Sequence, residues 1–247
     1  MSGRERIGMD AGWRFHRGDI PFPMGHGGWT KAGSFGVGAV DPSFDDSGWR
    51  VVDLPHDFIV EGAFAPHLDP SGAAPGQSLY TMHGSLPPAV GWYRKTFLVP
   101  AADEGRRLTI EFDGVTRNGA VWINKHYVDR HLSGYTGFRC DVTDIVNYGE
   151  ANTLVVRVDA TEYEGWFYEG GGIYRHVWMT KHAPVHVAPG GVFVSSQLDG
   201  NGERALVSAE VAVCNEEDRP ASVSVRVAVL DPAGRAIGTA AAPVSAA

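Results

Sequence analysis

Cysteine is nearly absent. Cys140 and Cys214 are the only two in 247 residues, far apart and outside any CxxC spacing, so neither a disulfide framework nor a cysteine zinc site is expected. Positive charge is scarce too. Against 29 Asp and Glu there are 21 Lys and Arg, a formal net charge of −8, and this removes the basic footprint that gathers phosphates and excludes nucleic acid as a partner. No run approaches the roughly 20 apolar residues of a membrane span, and positions 1–12 lack the apolar core of a signal peptide. The expectation is a cytoplasmic protein with no membrane partner. Sustained helical periodicity is also missing. With 32 Gly and 15 Pro, well above the usual share of about 12%, the chain reads as turns and short strands, and a helical bundle is ruled out. What is abundant is aromatic: 11% Phe, Trp and Tyr, with 7 Trp. Such residues favour sheets and also serve sugar-binding surfaces.

Period-two alternation marks the strands. Leu108, Ile110 and Phe112 alternate with Arg107, Thr109 and Glu111, and 120–124, 153–159 and 173–179 read the same way between turn residues. Residues 13–90 carry only short strands among Gly and Pro. The cluster Ala188-Pro189-Gly190-Gly191 suggests a domain boundary, followed by strands at 192–197, 205–214 and 221–230 and by a turn at 231–234 that leads into one more strand. The expected architecture is all-β: a jelly-roll, galactose-binding-like sandwich over 1–189, then a partial immunoglobulin-like β-sandwich over 190–247. The 57 residues after Gly190 fall short of the roughly 100 that such a sandwich takes.

Several groups could carry chemistry. His56 and Asp57, in Asp53-Leu54-Pro55-His56-Asp57-Phe58, either tie down a loop or offer planar acceptors to vicinal hydroxyls. The strand Gly91-Trp92-Tyr93-Arg94-Lys95 reads as scaffold. Asn124 opens a tight turn in which Lys125 takes a position often held by Gly, so the turn is expected to be strained or of another type. Tyr135 and Phe138 either stack on a sugar or pack inside. Gly170, Gly171 and Gly172 imitate a phosphate loop, but no helix and no Lys-Ser/Thr follow, so a close backbone approach is expected instead. Asp159, Glu162, Glu164 and Glu169 cluster without forming an expected catalytic pair. His182 and His186 share a strand face with no third ligand at a recognisable spacing, so neither metal nor cofactor is expected.

Taken together, these segments resemble a known family. Leu54-Pro55-His56-Asp57, Gly91-Trp92-Tyr93-Arg94-Lys95, Phe112-Asp113-Gly114-Val115, Val121-Trp122-Ile123-Asn124, Gly134-Tyr135-Thr136-Gly137-Phe138, Asp141-Val142-Thr143-Asp144 and Gly172-Ile173-Tyr174-Arg175 occur in this order. The series resembles the N-terminal sugar-binding domain of glycoside hydrolase family 2, as in β-galactosidases and their β-glucuronidase and β-mannosidase relatives. The stretch from Val192 is similar to the start of the immunoglobulin-like second domain of such enzymes.

The resemblance implies that the acid/base and nucleophile glutamates lie in a TIM barrel, which needs about 250 residues of its own, so no catalytic residue is assigned here. That missing barrel and a carbohydrate with a terminal β-linked sugar are the implied partners, and a homo-oligomeric full enzyme is compatible with the family. The implied reaction is a double displacement between carboxylates about 5 Å apart. The resemblance also matches Asp159 to a family Asp that holds the terminal sugar. A second family contact, an Asn or Asp ahead of the Gly-Trp-Tyr-Arg-Lys strand, falls on Asp69 or Asp57, because positions 59–90 contain no Asn. A free-standing carbohydrate-binding module, with aromatics around Trp166 and Tyr168 as its platform, is the alternative expectation.

Overall fold

A computed structural model describes residues 3–21, 38–64, 86–162 and 168–246. Asp69, Glu164, Trp166 and the glycines between Gly25 and Gly36 lie outside the described residues. The chain divides into two compact units, Arg6–Lys181, and Met1–Glu5 with His182–Ala247.

The larger unit is a sandwich of two sheets. One has the order β1 (Glu5–Gly8), β10 (Val177–His182), β5 (Arg107–Phe112), β8 (Phe138–Asp141). The other runs β3 (Arg50–Val52), β2 (Trp13–Arg17), β4 (Val90–Leu98), β9 (Ala151–Asp159), β6 (Gly119–Ile123), β7 (His126–His131). Alternation decides what each strand buries. Leu154, Val156 and Val158 of β9 enter the main core with Leu108, Ile110, Phe112 and Tyr93, while Val155 turns to the other face of its sheet. There it joins a second, smaller core with Ala39, Val40, Trp92 and Trp122. The two indoles of that core stack at 5.9 Å between centroids, 21° from parallel. The motif Gly91-Trp92-Tyr93-Arg94-Lys95 is scaffold as expected: Trp92 and Tyr93 are fully enclosed. Arg94 is buried as well and pairs with Asp46 at 2.8 Å, which gives its charge a partner away from water.

The β6–β7 hairpin closes on Asn124 and Lys125, at φ 48° and 76°, with Ile123 paired to His126. Two successive positive φ values are those of a type I′ turn, whose twist matches the flanking strands. Lys125 therefore holds a left-handed conformation usually given to Gly. Phe138 is inside, stacked on Phe112 at 4.7 Å, whereas Tyr135 is exposed. Cys140 is buried and free, its thiol pushed up to about 12 by burial; Cys214 is half-buried and also free.

One strand begins later than its sequence suggests. The expected strand at 173–179 starts only at Val177, because Ile173 spends its carbonyl on the His56 amide, at 2.9 Å. The smaller unit is two antiparallel hairpins, β11 (Val185–Leu198) with β12 (Ala205–Asn215) and β13 (Ala221–Leu230) with β14 (Ala236–Ala246). The Pro189-Gly190 cluster lies within a paired strand. It is an irregularity inside β11, between the pairs Val187↔Val213 and Val192↔Val211, and the compact division falls earlier, at His182. In β13 half-buried and exposed residues alternate without reaching full burial, and of the described residues from 183 onward only Ala246 is buried. This is a partial immunoglobulin-like sandwich with strands but hardly a core.

Candidate functional site

Three segments converge at one end of the six-stranded sheet. β9 finishes at Asp159, paired across from Val90 where β4 begins, and the Asp159 amide donates to the Arg117 carbonyl at 3.1 Å. The strand from Leu154 to Val158 commits its other face to the core, so alternation turns Asp159 away from it. The side chain is about one-fifth exposed. Its Oδ1 accepts from the Thr161 amide at 3.2 Å and the Thr161 hydroxyl at 2.5 Å, and its Oδ2 from Arg157 at 3.1 Å. A carboxylate offers about four lone-pair positions. Among the described residues, three are used.

Arg157 orients this carboxylate while holding another. Its Nε and Nη2 reach Asp19 Oδ1 and Oδ2 at 2.9 and 2.7 Å, and Trp92 Nε1 adds a third donor to Asp19 at 3.1 Å. The Arg157 hydrogen bond is the main reason the Asp19 carboxyl sits below its ordinary range. The same bond raises the guanidinium of Arg157.

Asp57 is held by four donors. Oδ1 takes the amides of Ile59, Val60 and Gly171 at 2.9, 3.3 and 3.1 Å, and Oδ2 takes the Tyr168 hydroxyl at 2.9 Å. Burial, then this bond, pushes the Tyr168 phenol well above its usual value. The triple glycine is the counterpart of this loop. Phe58 donates to the Gly171 carbonyl at 2.8 Å, and Gly172, at φ +143°, lies so close that a Cβ there would stand 2.3 Å from the His56 carbonyl oxygen. Gly171 and Gly172 bind the chain's own backbone and the Asp57 carboxylate, as close approach requires.

His56 is 7% exposed. Arg50 can only donate, at 2.9 Å, so Nε2 accepts and Nδ1 carries the proton toward the Tyr93 hydroxyl at 2.7 Å. Burial holds the imidazole below its ordinary pKa, against the pull of Glu61 at 3.3 Å. A cleft of about 330 Å³ adjoins this network, lined by Phe15, His16, Trp49, Arg50, Phe58 and Glu61.

The structure thus brings His56, Asp57 and the glycines into one tie and leaves Asp159 beside it at the strand end, since Ala160 packs where a Gly171 Cβ would point. Glu169 is enclosed, 3.9 Å from Arg117. Sequence reasoning missed Asp19. Nothing in the sequence connects it to a residue 138 positions away.

Residues 83–184 match the family model described as "Glycosyl hydrolases family 2, sugar binding domain". The chain is 39% identical over 96% of its length to the β-galactosidase BoGH2A of Bacteroides ovatus and covers 25% of that protein. It is 31% identical over 67% of its length to a Bacteroides fragilis β-glucuronidase, covering 23% of it. A β-glycosidase crystal structure from Bacteroides vulgatus superposes with a TM-score of 0.78 at 30% identity, over 97% of this chain and 28% of that one. The chain therefore spans about a quarter of the length of the relatives it matches.

Proposed function

From the premise that the chain belongs to glycoside hydrolase family 2 and carries its sugar-binding domain, we propose that it positions substrate for a retaining, β-galactosidase-like hydrolase. Two catalytic carboxylates would come from a barrel elsewhere in the full protein. The observation that carries this reading is the identity over 96% of the chain to a β-galactosidase four times its length. The site geometry supports a division of labour. Among the described candidates Asp159 combines exposure with an acceptor position left over, so it receives hydroxyls of the terminal β-linked sugar. His56 and Asp57 brace the loop beside it, and Asp69 remains a second contact by family resemblance. The alternative of a free-standing binding module has no comparable support, because the relatives carry this region as part of a longer enzyme.

The test is Asp159→Asn in a full-length family 2 enzyme bearing this domain. Charge-assisted hydrogen bonds to a desolvated sugar are worth roughly 2–5 kcal/mol, so kcat/KM for a nitrophenyl β-galactoside should fall at least about tenfold with the melting temperature nearly unchanged. Intact kinetics with a sharply lower melting temperature would make Asp159 a purely structural cap.

A further inference from the structure

His182 and His186 lacked a third ligand in the sequence, and the fold supplies one. β11 pairs with β12 so that Val185 faces Asn215 and His186 faces Cys214, and the Glu216 amide then donates to the Pro184 carbonyl at 3.2 Å. This carries Glu216 to the corner between His182 and His186. One potential ligand atom from each of the three residues lies within 4.8 Å of the other two. Among the described residues no other group of three does this.

The tautomers are set for coordination. His182 Nδ1 lies 3.2 Å from the Ala183 carbonyl and His186 Nδ1 lies 3.1 Å from the Pro184 carbonyl. A carbonyl can only accept, so each Nδ1 holds the proton and each Nε2 keeps its lone pair. A backbone carbonyl on the second ring nitrogen is the usual arrangement behind a metal-bound histidine. The rings lie 3.7 Å apart between centroids, a spacing that disfavours two imidazolium cations.

We propose that His182, His186 and Glu216 form a binding site for a borderline divalent transition-metal ion, Zn²⁺ being the reference case. Two imidazoles and one carboxylate suit Zn²⁺ and its first-row neighbours and do not suit Mg²⁺ or Ca²⁺, which prefer oxygen ligands. Bond lengths of about 2.0–2.1 Å put tetrahedral ligand atoms roughly 3.3 Å apart, against the 4.8 Å within which one potential ligand atom of each residue lies here. The ion would staple the β10–β11 corner to the end of β12, in a unit that otherwise has almost no buried side chains. Arg4, whose charge acts on His182, opposes the ion.

The experiment titrates the whole chain, cleared of metal by chelator, with Zn²⁺ against a chromophoric competitor. The parent is compared with His186→Ala, Glu216→Gln and Arg4→Ala. One tight equivalent is expected, at least about tenfold weaker in His186→Ala, weaker in Glu216→Gln and tighter in Arg4→Ala, with no competition from a large excess of Mg²⁺. Nitrogen-15 spectra of the histidines should show Nε2 of His182 and His186, and not Nδ1, shifting with Zn²⁺; this readout does not depend on how well a variant folds. Equal Zn²⁺ affinity in the parent and His186→Ala, or unshifted Nε2 signals at saturation, would overturn the proposal.

Discussion

Arg157 grips Asp19 with two nitrogens, at 2.9 and 2.7 Å, and Asp159 with a third, at 3.1 Å. One planar guanidinium thus fixes the orientation of the carboxylate assigned to the sugar by reference to a loop 138 residues earlier. A lysine has one point charge and cannot reproduce that fork. Arg157→Lys should therefore cost only about 1 kcal/mol in unfolding free energy, because the pairs are partly solvated. In the full-length enzyme it should raise KM several-fold, since Asp159 loses its alignment. An unchanged KM would remove Arg157 from any positioning role.

The glycine tie predicts a steep steric cost. Gly172→Ala puts a methyl group 2.3 Å from the His56 carbonyl and 2.7 Å from the Tyr93 hydroxyl at a left-handed φ. It should lower unfolding stability by roughly 3 kcal/mol or more. Gly48→Ala, with nothing within 4 Å of its new methyl, should stay within about 0.5 kcal/mol. Chemical denaturation of both variants checks the contrast; equal stabilities would mean that the 168–173 segment can yield.

His56 gives a pH dependence of known sign. Its folded-state pKa lies below the ordinary 6.5, mainly through burial, so as pH falls the unfolded chain takes up the proton first. The stabilising contribution is complete above about pH 6.5 and drains away below it, toward the folded-state value. Melting temperature should fall on going from about pH 7 to about pH 5, and His56→Gln, though less stable overall, should show a shallower fall. Parallel profiles for the two proteins would show that His56 is not the titrating group.

Amide exchange should separate the two units. Amides of β5, flanked by β10 and β8 and carrying Leu108, Ile110 and Phe112 in the core, should exchange by global opening. Those of β13, in a two-stranded sheet whose side chains are at best half-buried, should exchange far faster through local opening. Equal protection in Val223–Val229 and Leu108–Phe112 would show that the second unit is held as firmly as the first.

The parts of the fold that were legible in the sequence are those set by local pattern. β9 announced both its faces through Leu154, Val156 and Val158, and the Asn124-Lys125 turn was marked by its residues alone. The role proposed for Asp159 rests on ordered motifs and not on periodicity. Other features were illegible because their cause is non-local. Ile173 looks like strand and is diverted by a hydrogen bond to His56; Pro189-Gly190 looks like a linker and is absorbed within a paired strand. Asp19 and Glu216 reach their partners only through sheet register, which a single sequence does not display.

The stacked indoles of Trp92 and Trp122 carry one more consequence. Two such chromophores at 5.9 Å and 21° couple their electronic transitions and split the absorption into bands of opposite circular dichroism. That couplet belongs to the outer layer of the six-stranded sheet, since the larger core between the sheets contains neither ring. Loss of the split signal on heating therefore dates the peeling of that layer, and the far-ultraviolet strand signal dates the sheets beneath it, so a single spectropolarimeter trace can tell whether the two melt together.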